Sequence, residues 1–308
     1  MNKFLILFVG ISFLFFFGCS EDEKDVNEFE VLTDYLENSD ANYQGWANTL
    51  SGWVVDYSSV SSNLNDYLIV DLRSATDYTA NHINGAVNTT LSGLLDTVDG
   101  ETGKILCVCY TGQTAAYAHM LLRLEGYEAY SLKWGMSGVD ASLDRWTGNC
   151  SNQYYGTANW VTSASPTLPE FDFPTLDTGN DDAKAILDAR VQAALDAWSS
   201  RTIKASTIME DPAAYNIICY WSAIDYTGMG HINGALQVTP KTLTKEGNLS
   251  VFDPSSGDNV LYCYTGQTSA ATVAYLYVLG YDVKTLVFGA NSMIYDHMTA
   301  GRWPGWSN

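Results

Sequence analysis

Cys109-Tyr110-Thr111-Gly112-Gln113-Thr114 occurs twice in this chain, returning letter for letter as Cys263-Tyr264-Thr265-Gly266-Gln267-Thr268. Before each copy stands a short apolar run, 105–108 and 260–262, with the length and composition of a buried strand. After each comes a stretch free of Gly and Pro, 115–125 and 269–279, closed by Gly126 and Gly280 as a helix C-cap would close it. Ala270, Ala274 and Val278 fall on one face of the second helix, the side expected against a sheet. The order is therefore strand, cysteine, Gly-containing loop, helix, read twice.

Working outward, other blocks recur in the same order. Asp77-Tyr78-Thr79 returns as Asp225-Tyr226-Thr227, and His82-Ile83-Asn84-Gly85-Ala86 as His231-Ile232-Asn233-Gly234-Ala235. Arg145-Trp146 matches Arg302-Trp303. Four blocks in one order make the chain a duplication. Further strands are expected at 67–70 and 129–132, and at 215–219 and 283–287. Alternating strands and helices imply an α/β fold, two tandem domains, each a mainly parallel sheet flanked by helices. Composition places the domains at 40–150 and 182–308. The segment 151–181, with Pro166, Pro169 and Pro174, reads as a linker.

A thiol at the carboxyl end of a strand faces the amino end of the next helix. Unpaired backbone N–H groups and the helix dipole gather there and are expected to favour a thiolate. Gly112 and Gly266 let the loop curl so that successive N–H groups point inward as an anion nest. A persulfide, whose terminal sulfur is negative, needs the same environment.

With Asp71-Leu72-Arg73, His82-Ile83-Asn84-Gly85-Ala86 and Cys109-Tyr110-Thr111-Gly112, the first copy resembles the rhodanese superfamily. The second copy does so through His231-Ile232-Asn233-Gly234-Ala235 and Cys263-Tyr264-Thr265-Gly266. The resemblance spans about residue 50 to the end, apart from the linker. It implies that Cys109 and Cys263 occupy the persulfide-forming position. Tyr110, Thr111, Gly112, Gln113 and Thr114, with Tyr264, Thr265, Gly266, Gln267 and Thr268, would form the substrate loops, and Asp71 and Arg73 would support the first. Two features depart from the pattern. Both loops lack the Arg or Lys that sulfur-transferring members often carry, so poor thiosulfate turnover is expected. Cys219-Tyr220-Trp221 stands where the first copy has Asp71-Leu72-Arg73, which tilts the choice of working thiol towards Cys109. His82 and His231 are expected to be structural. Cys107 is expected to pack in the core, a resolving disulfide between Cys219 and Cys263 is a minor alternative, and Cys150 has no assigned role.

The balance of 35 acidic against 15 basic residues, a net charge of −20, excludes nucleic acid as a partner, because a polyanion gains nothing from meeting another. The four histidines and six cysteines show no metal-ligand spacing, and no cofactor is implied. Residues 1–18 read as a signal peptide: Lys3 supplies positive charge, 4–17 is apolar but short for a membrane span, and Gly18-Cys19 resembles a bacterial lipobox. That resemblance implies cleavage before Cys19 and a lipid on its thiol. Residues 19–39 would follow as an acidic tether in a protein anchored to the bacterial cell envelope, at the outer membrane's periplasmic face or the cell surface. The function expected is a sulfurtransferase or sulfane-sulfur carrier, taking sulfur from a small donor and passing it to a thiol or other nucleophilic acceptor. A catalytically weak binding or redox-sensing lipoprotein is the alternative. Phosphatase chemistry is not expected, because the Cys-loop of the related dual-specificity phosphatases is one residue longer and closed by Arg, where Thr114 and Thr268 stand here.

Overall fold

The structure, a computed structural model, describes residues 26–38 and 52–306. Two five-stranded sheets organise it. In the first, Val54–Val55, Glu128–Leu132, Lys104–Val108, Tyr67–Asp71 and Val87–Asn88 lie side by side in that order. In the second the order is Thr202–Ile203, Val283–Leu286, Asn259–Tyr262, Asn216–Cys219 and Leu236–Gln237. Every pairing in both sheets is parallel, and corresponding strands occupy corresponding places. The duplication seen in the sequence is thus a duplication of architecture. Side chains alternate across the strands: Ile105 and Cys107 join the cluster on one face of the first sheet, Leu106 and Val108 the cluster on the other. Sheets covered on both faces need such nearly continuous apolar strands.

Helices Gln113–Leu124 and Gln267–Val278, which follow the two cysteine loops, pack against each other across the domain boundary. Between Gln113 and Leu124 only Thr114 escapes burial, and Gln267–Val278 is nearly as enclosed. The second helix was expected to bury one face; its other faces are covered as well, because the partner domain's helix lies against it. A helix buried all round is expected to be largely apolar or small, as the Ala-rich composition of both helices is, and the buried His119 and Arg123 of the first depart from that. Helix Ala183–Ala197 packs on both, so one hydrophobic cluster runs from Phe29 through Leu121 to Leu276 and Tyr281. The two domains share a core.

The amino-terminal segment corrects an expectation. Residues 19–39 read as a tether, yet Glu28–Asn38 is a helix with Phe29, Leu32 and Leu36 buried in the shared core. Those positions fall on one helical face, and the acidic residues between them obscure it. Glu28 accepts N–H bonds from Thr178 and Gly179 at 2.7 Å, while the Lys245 ammonium meets Glu30 and Asp34. The segment 151–181 connects the domains as a packed strap: Trp160–Val161 pairs antiparallel with His231–Ile232, and Phe173 stacks on Phe29 at 5.0 Å. Cys19 and the apolar run at 4–17 lie outside the described residues.

Candidate active site

Strand Lys104–Val108 delivers Cys109 to its loop, and strand Asn259–Tyr262 delivers Cys263. Gly112 and Gly266 adopt left-handed backbone (φ +83° and +75°) where each loop turns into its helix. That turn brings the Gly112 and Ala115 N–H groups to 3.1 and 3.3 Å from Cys109 Sγ. In the second loop the Ser269 N–H reaches Cys263 Sγ at 3.3 Å. Ser269 stands where the first copy has Ala115, so the second thiol also has a hydroxyl neighbour, Ser269 Oγ at 3.5 Å.

The carbonyls of each loop are drawn away from the sulfur. Met136 N–H donates to the Cys109 carbonyl at 2.8 Å and Ser137 N–H to that of Tyr110 at 3.1 Å; Ala290 and Asn291 do the same for Cys263 and Tyr264. These donors follow Trp134-Gly135 and Phe288-Gly289, all four with positive φ. A Cβ on Gly135 or Gly289 would collide with the Cys109 or Cys263 carbonyl. These glycines went unread in the sequence, although an aromatic-Gly pair at the same offset after Leu132 and Leu286 is a further repeated block. The loop tyrosines are tied down as well. The Tyr110 hydroxyl bonds Asp77 and the Tyr264 hydroxyl bonds Asp225 at 2.6 Å, which explains why the Asp-Tyr-Thr blocks recur. The Arg145 guanidinium lies 3.8 Å over the Tyr110 ring.

The two loops touch. Gln267 Nε2 donates to the Thr111 carbonyl at 2.9 Å, and Gln113 Oε1 accepts the Phe288 N–H at 2.7 Å. Each loop's Gln therefore crosses into the other domain, which explains a conspicuous uncharged residue at the helix start. Trp146 and Trp303, from the matching Arg-Trp pairs, stack nearby with centroids 6.0 Å apart.

Asp71 and Arg73 form a fully buried pair at 2.7 Å beside the first loop. The guanidinium is spent on that carboxylate and on the Asn81 carbonyl, and sits 5.9 Å from the Tyr110 ring. In the second domain the same place holds Trp221, stacked on Tyr264 at 5.0 Å. His82 and His231 each bond a preceding carbonyl, of Tyr78 and Tyr226, through Nδ1. Cys107, Cys109, Cys150, Cys219 and Cys263 are all free thiols.

At Cys109 burial opposes the thiolate that the loop favours. Burial pushes this thiol up, and the N–H groups of Ala115, Thr111, Gly112 and Thr114, though pulling down, do not overcome it. Desolvation of the charged form outweighs the loop dipoles because the sulfur is fully buried. The second loop opens differently. Cys263, Tyr264, Thr265, Gln267 and Thr268 line a cavity of about 230 Å³, closed on its other side by Gly301 and by Val54 and Lys133 of the first domain.

Residues 56–142 match the family described as the rhodanese-like domain. No curated protein matches the chain. Among solved structures, a rhodanese-related protein from Thermoplasma volcanium is 19% identical, covering 28% of this chain and 89% of its own, with a TM-score of 0.27. A rhodanese-like domain protein from Staphylococcus aureus is 18% identical over 28% and 90%, with a TM-score of 0.27. A rhodanese homolog from Thermus thermophilus is 28% identical over 27% and 96%, with a TM-score of 0.24. The stretch from 56 to 142, in the first of the two matching halves, is a rhodanese-like domain.

Proposed function

We propose that the protein is a sulfurtransferase or sulfane-sulfur carrier that holds sulfur as a persulfide on Cys263. The observation that carries this reading is the cavity whose wall includes that thiol, at the amino end of a helix. In the reaction the Cys263 thiolate attacks the outer sulfur of a small donor. The donor's S–S bond breaks, its remainder leaves with the electron pair, and the new persulfide anion lies against loop N–H groups. A thiol or other nucleophilic acceptor then takes the terminal sulfur and returns the thiolate. Cys109 and Cys263 are equally buried, but Cys263 lines the cavity described above and burial pushes the Cys109 thiol up, so the preference moves from Cys109 to Cys263.

The test is intact mass spectrometry of the full chain after exposure to thiosulfate and, separately, to a polysulfide. Cyanide-labile added sulfur is expected in the wild type and in Cys109→Ser, and is expected to vanish in Cys263→Ser. Folded protein that gains no sulfur from either donor would leave the binding or redox-sensing alternative. We propose further that Cys19 carries lipid and anchors the chain to the bacterial cell envelope, a reading supported by residues 4–25 alone. A mature amino terminus bearing diacylglycerol, lost in Cys19→Ala, is the expected mass; an unmodified Cys19 in membranes would refute it.

A further inference from the structure

The duplication builds one cleft twice across the domain boundary. The Lys133 and Val287 N–H groups bond the carbonyls of Val55 and Ile203, each at 2.9 Å, so these residues correspond. Asp56 and Lys204, which follow the two edge strands, stand just before helices Tyr57–Val60 and Ala205–Glu210. Trp306 and Asn149 each come three residues after the tryptophan of an Arg-Trp pair. Asp56, Tyr57, Lys133, Trp134, Trp303 and Trp306 line a cavity of about 480 Å³. Lys204, Ala205, Val287, Phe288 and Asn149 line its counterpart, of about 400 Å³. In both, one domain supplies the edge strand and the aromatic-Gly turn, and the other supplies the segment after Arg-Trp.

The frames match but the linings do not. Where the second cleft has Ala205, Asn149 and Lys204, the first has Tyr57, Trp306 and Asp56. Trp134 and Trp306 stand at 69° and 72° to the Trp303 ring, with centroids 5.3 and 6.4 Å from it. Trp134 and Trp303 are buried, whereas Trp306 is 41% exposed and open to a ligand. At the rim the Lys133 ammonium meets both Asp56 carboxylate oxygens, at 3.3 and 3.4 Å, and lies 5.4 Å over the Trp134 ring. A cationic ligand would have to displace Lys133 from that ring, and an anionic one would meet Asp56. The balanced pair therefore favours a neutral ligand. Asp56 keeps acceptor sites and Lys133 keeps donors beyond their shared contact, and Ser58 and Ser61 add exposed hydroxyls. Aromatic rings beside such groups suit a pyranose sugar, which has C–H faces and hydroxyl edges. We propose that the cleft of Tyr57, Trp303 and Trp306 is a binding site for a neutral saccharide, whose hydroxyls bond the Asp56–Lys133 pair. Neither cysteine loop lines it, so the site goes beyond the persulfide reading and does not depend on it.

The experiment titrates the full chain calorimetrically with cellobiose, maltose and N,N′-diacetylchitobiose. Wild type is expected to bind at least one of them saturably. Trp306→Ala is expected to weaken that binding about tenfold, the effect of losing one ring contact, and Trp306→Phe to recover part of it. Asp56 makes no helix-cap bond and its ion pair is exposed, so Asp56→Ala leaves the fold intact. That variant is expected to weaken binding by about the same factor, through lost hydrogen bonds. Asn149→Ala, in the counterpart cleft, is expected to leave binding unchanged. Folded wild type that binds none of the three at about 10 mM overturns the proposal. Binding undiminished by Trp306→Ala puts the sugar elsewhere and also overturns it. Choline and a proline-rich peptide are titrated alongside. Binding of either in place of sugar, lost in Trp306→Ala, gives the cleft to another class of ligand and overturns the saccharide.

Discussion

Asp71→Ala is expected to lower the unfolding free energy by about 3–5 kcal/mol, the range for leaving one member of a buried ion pair without its partner. The Arg73 side chain is 1% exposed and that of Asp71 is not exposed at all. Arg73 Nε and Nη2 both bond the carboxylate, at 3.0 and 2.7 Å, and the Arg73 backbone N–H adds a third donor at 3.0 Å. Without the carboxylate the guanidinium keeps only the Asn81 carbonyl, and it cannot shed its proton to escape burial. The second domain shows another solution to the same place, since Cys219 and Trp221 stand where Asp71 and Arg73 do. Replacing a buried pair by packed residues is often neutral. The double change Asp71→Cys with Arg73→Trp is therefore expected to recover at least half of the loss. Urea titrations of the three proteins measure this, and an Asp71→Ala cost below about 1 kcal/mol would show the pair to be solvated on opening.

The Cys-Tyr-Thr-Gly-Gln-Thr copies gave away both the duplication and the position of each thiol, because a strand end, a Gly turn and a helix start are local features. The strands at 67–71, 104–108, 128–132, 216–219, 259–262 and 283–286 were legible for the same reason, being apolar runs between turn signals. What stayed hidden lies across the domain boundary. Nothing in the spacing of Gln113 and Gln267 shows that each reaches the other copy, and nothing near Lys133 in sequence points to Cys263, 130 residues later. Glu28–Asn38 was obscured by Glu30, Asp34 and Glu37, whose charge satisfies Lys245 and its backbone while Phe29, Leu32 and Leu36 turn inward. The upward push on the Cys109 thiol was not legible, because a loop's dipoles can be read from sequence whereas the desolvation opposing them depends on what buries the sulfur.

His119 sits in the middle of helix Gln113–Leu124, 2% exposed, with Nδ1 lacking any partner. Burial and the neighbouring Arg123 charge push its pKa down to about 3 from the ordinary 6.5. It is neutral in the folded chain at every pH above that, whereas in the unfolded chain it takes up a proton below about 6.5. The unfolded state then binds the extra proton, so stability is fully present above 6.5 and is lost as pH falls from there towards 3. Once the unfolded chain is protonated, the slope is about 1.4 kcal/mol per pH unit. His119→Gln keeps a neutral polar side chain and removes the titration. The variant is expected to be no more stable than wild type at about pH 7.5 and to gain on it steadily below about 6.5. Carboxylates that titrate in the same range, such as Asp77 held low by the Tyr110 hydroxyl, are common to both proteins and cancel in the difference. Urea midpoints between about pH 7.5 and 3.5 decide it: curves that run parallel would mean His119 finds a proton acceptor or water in the fold. Because this helix carries the first cysteine loop and packs along the helix of the second, the unfolding that His119 promotes in acid also parts the two loops. Acid is therefore expected to break the Gln267–Thr111 link in wild type at a pH where His119→Gln still holds it.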